Sequence, residues 1–235
     1  MTDVVRAKEA AGRAAALLVE DGMLLGLGTG STVRYFLEAL GERVRAERLR
    51  VRGVPTSEDT AQRARALGIP LEELANVERI DLTVDGADEI DGRFDMIKGG
   101  GGALLREKVV ARLTRREVVV VDPGKVVARL GSTFDLPIEV VPFAQPVVQR
   151  ELATLGLVPR VRRASKSADA PPFRTDNGNL VLDCHVPGGI SDPGGLEREL
   201  IAICGVVEVG LFVGLAHTLI VGYPDGATRR LERDA

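Results

Sequence analysis

Apolar and polar positions along the first 125 residues switch repeatedly between helical and strand periodicity. Residues 4–20 place apolar side chains at helical spacing, and Met23–Leu27 is a short apolar run ending in glycines. Helical spacing returns over Thr32–Ala46 and over Ser57–Leu67, the latter closed by Gly68 and Pro70, with a strand pattern at Leu49–Val54 between them. Ile80–Asp85 reads as a strand, Ala103–Leu113 as a helix and Glu117–Asp122 as another strand. This alternation predicts a parallel sheet with covering helices.

The pattern changes after Lys125. Pro137, Pro142 and Pro146 punctuate Leu136–Val141, which suits a strand leaving the first domain. Val147–Leu155 is helical, Val158–Ala164 a strand, and Thr175–Gly178 holds an Asn-Gly turn whose hairpin takes Leu180–Val186 as its second strand. With a helix over Gly195–Ile203, this segment predicts a small α+β domain. The last run, Val206–Gly214, Thr218–Gly222 and a Pro-Asp-Gly turn, reads as strands returning to the first domain. No internal repeat or low-complexity linker interrupts the chain.

Composition narrows the class. A length of 235 residues suits one large α/β domain with room for a small insert, and 45% hydrophobic residues exclude a disordered chain. No stretch approaches the roughly 20 apolar residues of a membrane helix. The N-terminal helix carries charges throughout, unlike a secretory signal. The expectation is a cytoplasmic protein with no membrane partner. A net charge of −3 with interleaved signs gives no reason to expect nucleic acid, and the basic runs Arg48–Arg52 and Arg160–Lys166 read as solvated faces. Cys184 and Cys204 read as small buried hydrophobes, and His185 and His217 lack zinc-site spacing. Five of the 31 basic residues are lysines, and three of these, Lys98, Lys108 and Lys125, fall in motifs.

Gly26-Leu27-Gly28-Thr29-Gly30-Ser31-Thr32 follows an apolar strand and opens a helix. Such glycines let successive N–H groups point at an anion beside the helix N-terminus. A dinucleotide fingerprint fails, because its third glycine would fall on Ser31 or Val33. A nucleotide P-loop also fails, for want of a lysine before Ser31-Thr32. The loop suits a single phosphate; the same residues also serve as a tight turn with a Ser or Thr helix cap.

Asp85-Gly86-Ala87-Asp88-Glu89-Ile90-Asp91 ends a predicted strand, where ligands of open α/β sheets bind. Its four acids need solvent, a cation or a lysine between them. Lys98-Gly99-Gly100-Gly101-Gly102 is costly in ordering entropy, so a chain keeps such a run where backbone must approach something closely. Glu107 falls about one turn into the following helix among Leu104, Leu105, Val109 and Val110. Burial there raises a carboxylate's pKa and suits it as a base, whereas an exposed Glu107 would pair with Arg106 or Lys108. Asp122-Pro123-Gly124-Lys125 ends a further strand on the same sheet edge.

Together these segments resemble the type A ribose-5-phosphate isomerase family: GTGST at 28–32, DGADEID at 85–91, KGGGGALLREK at 98–108 and D-x-x-K at 122–125, in order and approximate spacing. Thr56-Ser57, FDLPIEVVP at 134–142, TDNGN at 175–179 and GLF at 210–212 add to the match, which covers nearly the whole chain. The resemblance implies an aldose–ketose isomerase that interconverts ribose 5-phosphate and ribulose 5-phosphate through a cis-enediolate, without metal or cofactor. It implies Glu107 as catalytic base. It implies substrate contacts from Thr29, Gly30, Ser31 and Thr32, from Asp85, Gly86, Ala87 and Asp88, from Lys98, Gly99, Gly100 and Gly101, and from Lys125. The implied fold is a Rossmann-like α/β domain of residues 1–130 plus 206–235, with an inserted small α+β domain of residues 131–205, in a homodimer or homotetramer. Two residues depart from the pattern, Gly102 where alanine is frequent and Leu105 where threonine is frequent.

Two other readings are weaker. A sugar-phosphate deaminase, such as one acting on glucosamine 6-phosphate, would want a histidine in the motifs, and neither histidine lies in one. A non-catalytic sugar-phosphate sensor would want a DNA-binding segment and would have no use for Glu107.

Overall fold

Helix α1 (Asp3–Ala16) leads into β1 (Leu24–Leu27), α2 (Ser31–Ala46), β2 (Arg52–Pro55), α3 (Glu58–Ala66) and β3 (Ile80–Asp85). The short strands β4 (Glu89–Ile90) and β5 (Met96–Ile97) precede α4 (Leu104–Leu113) and β6 (Thr114–Val121). There follow β7 (Leu136–Val140), α5 (Gln145–Thr154), β8 (Val158–Val161), β9 (Leu180–His185) and α6 (Pro193–Ile201). The chain closes with β10 (Val206–Val209), β11 (Leu211–Phe212), β12 (Thr218–Gly222) and β13 (Thr228–Glu232). The computed structural model describes residues 2–167 and 169–233; Met1, Ala168, Asp234 and Ala235, at the ends of the expected first domain and in the expected insert, lie outside the described residues. Two compact units result: Met1–Ala87, Arg106–Val126 and Gly214–Ala235 form the first, and Asp88–Leu105 and Val127–Val213 the second.

The first unit is of the α/β class. Its sheet runs β13-β12-β6-β3-β1-β2, parallel throughout except for the antiparallel edge strand β13. Leu25 and Leu27 of β1, Leu82 and Val84 of β3, and Val118 and Val120 of β6 alternate along their strands and share one buried cluster. Ala11 and Ala15 of α1 and Val33, Phe36, Leu37 and Leu40 of α2 complete it from the helical spacing of their own sequences. The strand β6 starts at Thr114, earlier than its apolar run, because Ile80 and Leu82 of β3 carry the ladder down to Thr114 and Arg116.

The second unit is antiparallel. Its four-stranded sheet runs β10-β7-β9-β8, and a three-stranded sheet runs β11-β5-β4. Leu136, Ile138 and Val140 of β7 and Leu180, Leu182 and Cys184 of β9 put every second side chain into a core closed by Val148 and Leu152 of α5 and Leu200 of α6.

Three expectations change. The Asn-Gly turn is present, closed by the Gly178 N–H donating to the Thr175 carbonyl at 2.9 Å, but it does not join two paired strands directly. Strand β9 pairs with β7 on one side and β8 on the other, and β8 ends at Val161, well before the turn. The turn is instead built around the buried Glu139 carboxylate of β7, which accepts from Thr175 Oγ1, Asn177 Nδ2 and Asn179 Nδ2 at 2.9, 3.1 and 2.9 Å. The final strands also divide: β10 pairs with β7 and β11 with β5, and only β12 and β13 join the first sheet. Finally, Cys184 is buried, where burial pushes its thiol pKa up, but Cys204 is exposed.

Candidate active site

The order of the first sheet creates a switch point. From β1 the chain moves outward to β2, then returns to place β3 on the other side of β1. Loops leaving the carboxyl ends of two such strands diverge and leave a ligand-accessible edge. Gly28–Gly30 leaves β1 there and Asp85–Ala87 leaves β3.

The two loops are tied to each other. Asp85, 1% exposed, accepts the N–H of Thr29 at 3.0 Å and of Gly86 at 2.7 Å. A Cβ on Gly28 would lie 2.3 Å from the Asp85 carboxyl, so only glycine allows the approach. Gly30 is the N-cap of α2 at φ 125° and ψ 176°, a region open to glycine alone, and no side chain caps the helix. Ser31 and Thr32 therefore lie inside the first turn and are not the cap that their residue types allow. The N–H groups of that turn face outward from the helix start, and Ser31 Oγ receives Lys8 Nζ at 2.9 Å. Thr29 turns its hydroxyl inward, within 2.7 Å of Thr56 Oγ1 and 2.8 Å of Ser57 Oγ. Thr60 Oγ1 donates to the Gly28 carbonyl at 2.8 Å, and Thr56 Oγ1 to that of Leu27 at 3.1 Å.

Glu107 stands in the first turn of α4 and is only 5% exposed. Its neighbour Arg106 reaches Glu58 at 2.8 Å, and Glu107 itself is buried where the alternative reading of the sequence has it exposed. Lys125 ends a 3₁₀ turn after β6 and is half-buried; Asp122 shapes that turn by accepting the Gly124 N–H at 3.0 Å.

The second unit carries Asp88, Lys98 and the glycine run. Asp88 Oδ2 accepts the Gly100 N–H at 2.7 Å, and a Cβ on Gly100 would lie 2.5 Å from the same carboxylate. The Lys98 side chain is 3% exposed with Nζ 5.5 Å from the Phe212 ring centroid, and its N–H donates to the Gly210 carbonyl at 2.9 Å. The GLF segment thus seats this lysine. Gly102, at φ 79°, faces the Phe173 ring, which a Cβ would approach to 2.4 Å, so an alanine here would be both strained and crowded.

The crowding of four acids has a physical answer. Each takes backbone N–H groups of its own: Asp85 and Asp88 as above, Asp91 those of Arg93 and Asp95, and the fully buried Glu89 those of Gly131, Thr133 and Phe134. Among the described residues no group of three or more His, Cys, Asp or Glu is placed to hold a metal ion. Residue types alone did not single out Lys8, Thr60 or Arg162. Their signals are weak in sequence, since Lys8 sits in a helix full of charges and Arg162 in a run of arginines otherwise exposed.

A switch-point edge with an anion-receptive helix start and a buried carboxylate on a nearby helix of the same unit is the arrangement of an α/β enzyme handling small phosphorylated molecules. The family profile described as ribose 5-phosphate isomerase A (phosphoriboisomerase A) matches residues 52–226. A ribose-5-phosphate isomerase A from Thermomicrobium roseum is 50% identical over 229 residues, covering 97% of this chain and 94% of that protein. The structure of ribose 5-phosphate isomerase A from Methanocaldococcus jannaschii superposes with a TM-score of 0.90 at 39% identity, over 96% of this chain and 97% of that one. A D-ribose-5-phosphate isomerase in complex with phospho-erythronic acid gives 0.93 at 38% identity, over 99% and 100%. The chain belongs to the ribose 5-phosphate isomerase A family.

Proposed function

We propose that the chain interconverts D-ribose 5-phosphate and D-ribulose 5-phosphate, a step of the non-oxidative pentose phosphate pathway, with Glu107 as the base. The observation that carries this is the buried Glu107 in the first turn of α4, directly after the glycine run. Its carboxylate takes the proton from C2 of the open-chain aldose and returns it to C1 of the cis-enediolate, while the O1 and O2 protons redistribute. A weakly acidic C–H needs its developing oxyanion stabilised as the base acts. Lys98 and the N–H groups of Gly99, Gly100 and Gly101 carry that positive potential, with Lys125 as a further substrate contact. Asp85, Gly86, Ala87 and Asp88 bind sugar hydroxyls and assist ring opening. Gly30, Ser31 and Thr32 at the start of α2, with Lys8 beside them, take the phosphate; Thr29 shapes this loop from below. Binding energy from the remote phosphate holds C1 and C2 against the base. That a relative binds phospho-erythronic acid, a phosphorylated sugar acid, supports a sugar-phosphate ligand.

The same proposal includes a cytoplasmic homodimer or homotetramer without a nucleic-acid partner. Phe143, 96% exposed and flanked by the part-exposed Val141 and Val147, supports self-association through the second unit. Among the described residues no helix is long and apolar enough to cross a membrane.

The test is direct. Purified protein given ribose 5-phosphate should form ribulose 5-phosphate at the same rate before and after exhaustive dialysis against EDTA. Loss of turnover that a divalent ion restores would overturn the metal-free part, and binding without turnover would overturn the enzyme.

A further inference from the structure

Arg162 lies in the basic run 160–166 that the sequence presents as a solvated face, yet its side chain is 13% exposed. Nη1 donates to the carbonyls of both Gly99 and Gly100, at 2.7 and 3.0 Å. Nε and Nη2 engage the two oxygens of Asp183 at 3.0 and 2.5 Å. The guanidinium lies 5.7 Å from the Phe173 ring centroid, and the Phe173 N–H donates to the Arg162 carbonyl at 2.8 Å. This is the ring that packs against Gly102. One planar cation therefore binds the glycine run, a carboxylate and an aromatic face at once, which a lysine ammonium cannot reproduce.

The consequence follows from peptide planarity. Within a trans peptide unit the C=O and the following N–H point in opposite directions. A Gly99 carbonyl held by Arg162 aims the Gly100 N–H away from the guanidinium, where Asp88 Oδ2 accepts it at 2.7 Å. A Gly100 carbonyl on the same nitrogen aims the Gly101 N–H away as well. Glycines have no side chain to fix these planes, and their peptides rotate at little cost. Hydrogen bonding at the carbonyl also polarises each amide and strengthens its N–H as a donor.

We infer that Arg162 is a positioning residue that orients the peptide planes of the Lys98–Gly101 run and, through Gly100, the carboxylate of Asp88. The inference rests on the proposed function, in which that run meets the substrate. Asp183 and Phe173 fix the guanidinium, and Arg162 itself touches no reacting atom.

The experiment measures kcat and KM for ribose 5-phosphate in Arg162→Ala, Arg162→Lys and Asp183→Asn beside the native protein, with the amide NMR signals of Gly100 and Gly101. Arg162→Ala should lose kcat by roughly 10²-fold, the scale of a ~1 Å misplacement, with a much smaller change in KM. Millimolar guanidinium should restore part of that kcat, and Arg162→Lys should not match the native enzyme. A folded Arg162→Ala with native kcat would overturn the inference, as would full activity in Arg162→Lys. If Arg162→Ala does not fold, Asp183→Asn, which keeps the volume and the arginine, decides: a several-fold fall in kcat supports positioning and native kcat refutes it. The Gly100 and Gly101 amide signals must move in any folded variant, and unmoved signals refute the positioning. That arm needs no turnover, and an inactive native protein would mark the failure of the proposed reaction separately.

Discussion

Thr29 and Thr32 are three residues apart and do different work. The Thr29 hydroxyl lies against Thr56 and Ser57, and we propose that it shapes the loop whose backbone meets the substrate. Thr32 is buried in the first turn of α2, at the end proposed to take the phosphate. Thr32→Ala should weaken substrate binding by roughly 1.5–3 kcal/mol, the range of a hydrogen bond to a charged group, read as a raised KM. An unchanged KM would remove Thr32 from the phosphate site. His217 offers a pH-dependent test of another kind. Its Nδ1 accepts the Glu117 N–H at 3.1 Å, a bond that only the neutral ring can make. Burial, and then the charge of Arg233, lower its pKa below the ordinary 6.5. The unfolded chain therefore binds the proton more readily, and stability should fall as the pH drops through 6.5 towards the lowered native value. Melting temperatures of the native protein and His217→Gln between pH 7.5 and 5.5 check this. The native protein should lose more on acidification, and parallel curves would contradict the assignment.

At the scale of elements, Glu89 joins the short strand β4 to the loop after Leu130. Its carboxylate accepts the N–H groups of Gly131, Thr133 and Phe134 and the Thr133 hydroxyl. Glu89→Gln keeps the shape but turns an NH₂ group against one of these donors. The change should destabilise the protein by roughly 2–4 kcal/mol, seen as a lower urea midpoint, and an unchanged midpoint would contradict the anchoring role. This role was not legible beforehand, because an acid in a row of acids looks solvated until the chain that returns to it is known. The parallel sheet was legible: apolar runs such as Val118–Val121 and helical stripes such as Val33–Leu40 each report local burial. Strand limits were less so. The ladder to β3 draws the polar Thr114–Arg116 into β6, and nothing local to β10 says that its partner is β7. The Asn-Gly turn misled for the same reason, since it answers to Glu139 on another strand.

Over the whole molecule, motif order carried more than composition. The glycine loop, acidic turn, glycine run and Asp-x-x-Lys turn were readable because each needs residue types that packing alone would not select. Their supports, Arg162, Thr60 and Phe173, were not, since long-range contacts assign them. The central claim is that Glu107 moves the proton, and the most direct measurement is turnover by Glu107→Gln with native protein run in D₂O. Gln has nearly the same volume and still accepts a hydrogen bond, but it cannot take a proton. The variant should fold, bind ribose 5-phosphate and lose roughly 10²–10⁴-fold or more in kcat, and the native enzyme should incorporate at least some solvent deuterium at the reacting carbon. A well-folded Glu107→Gln protein with near-native kcat would contradict the account and leave Glu107 outside the mechanism.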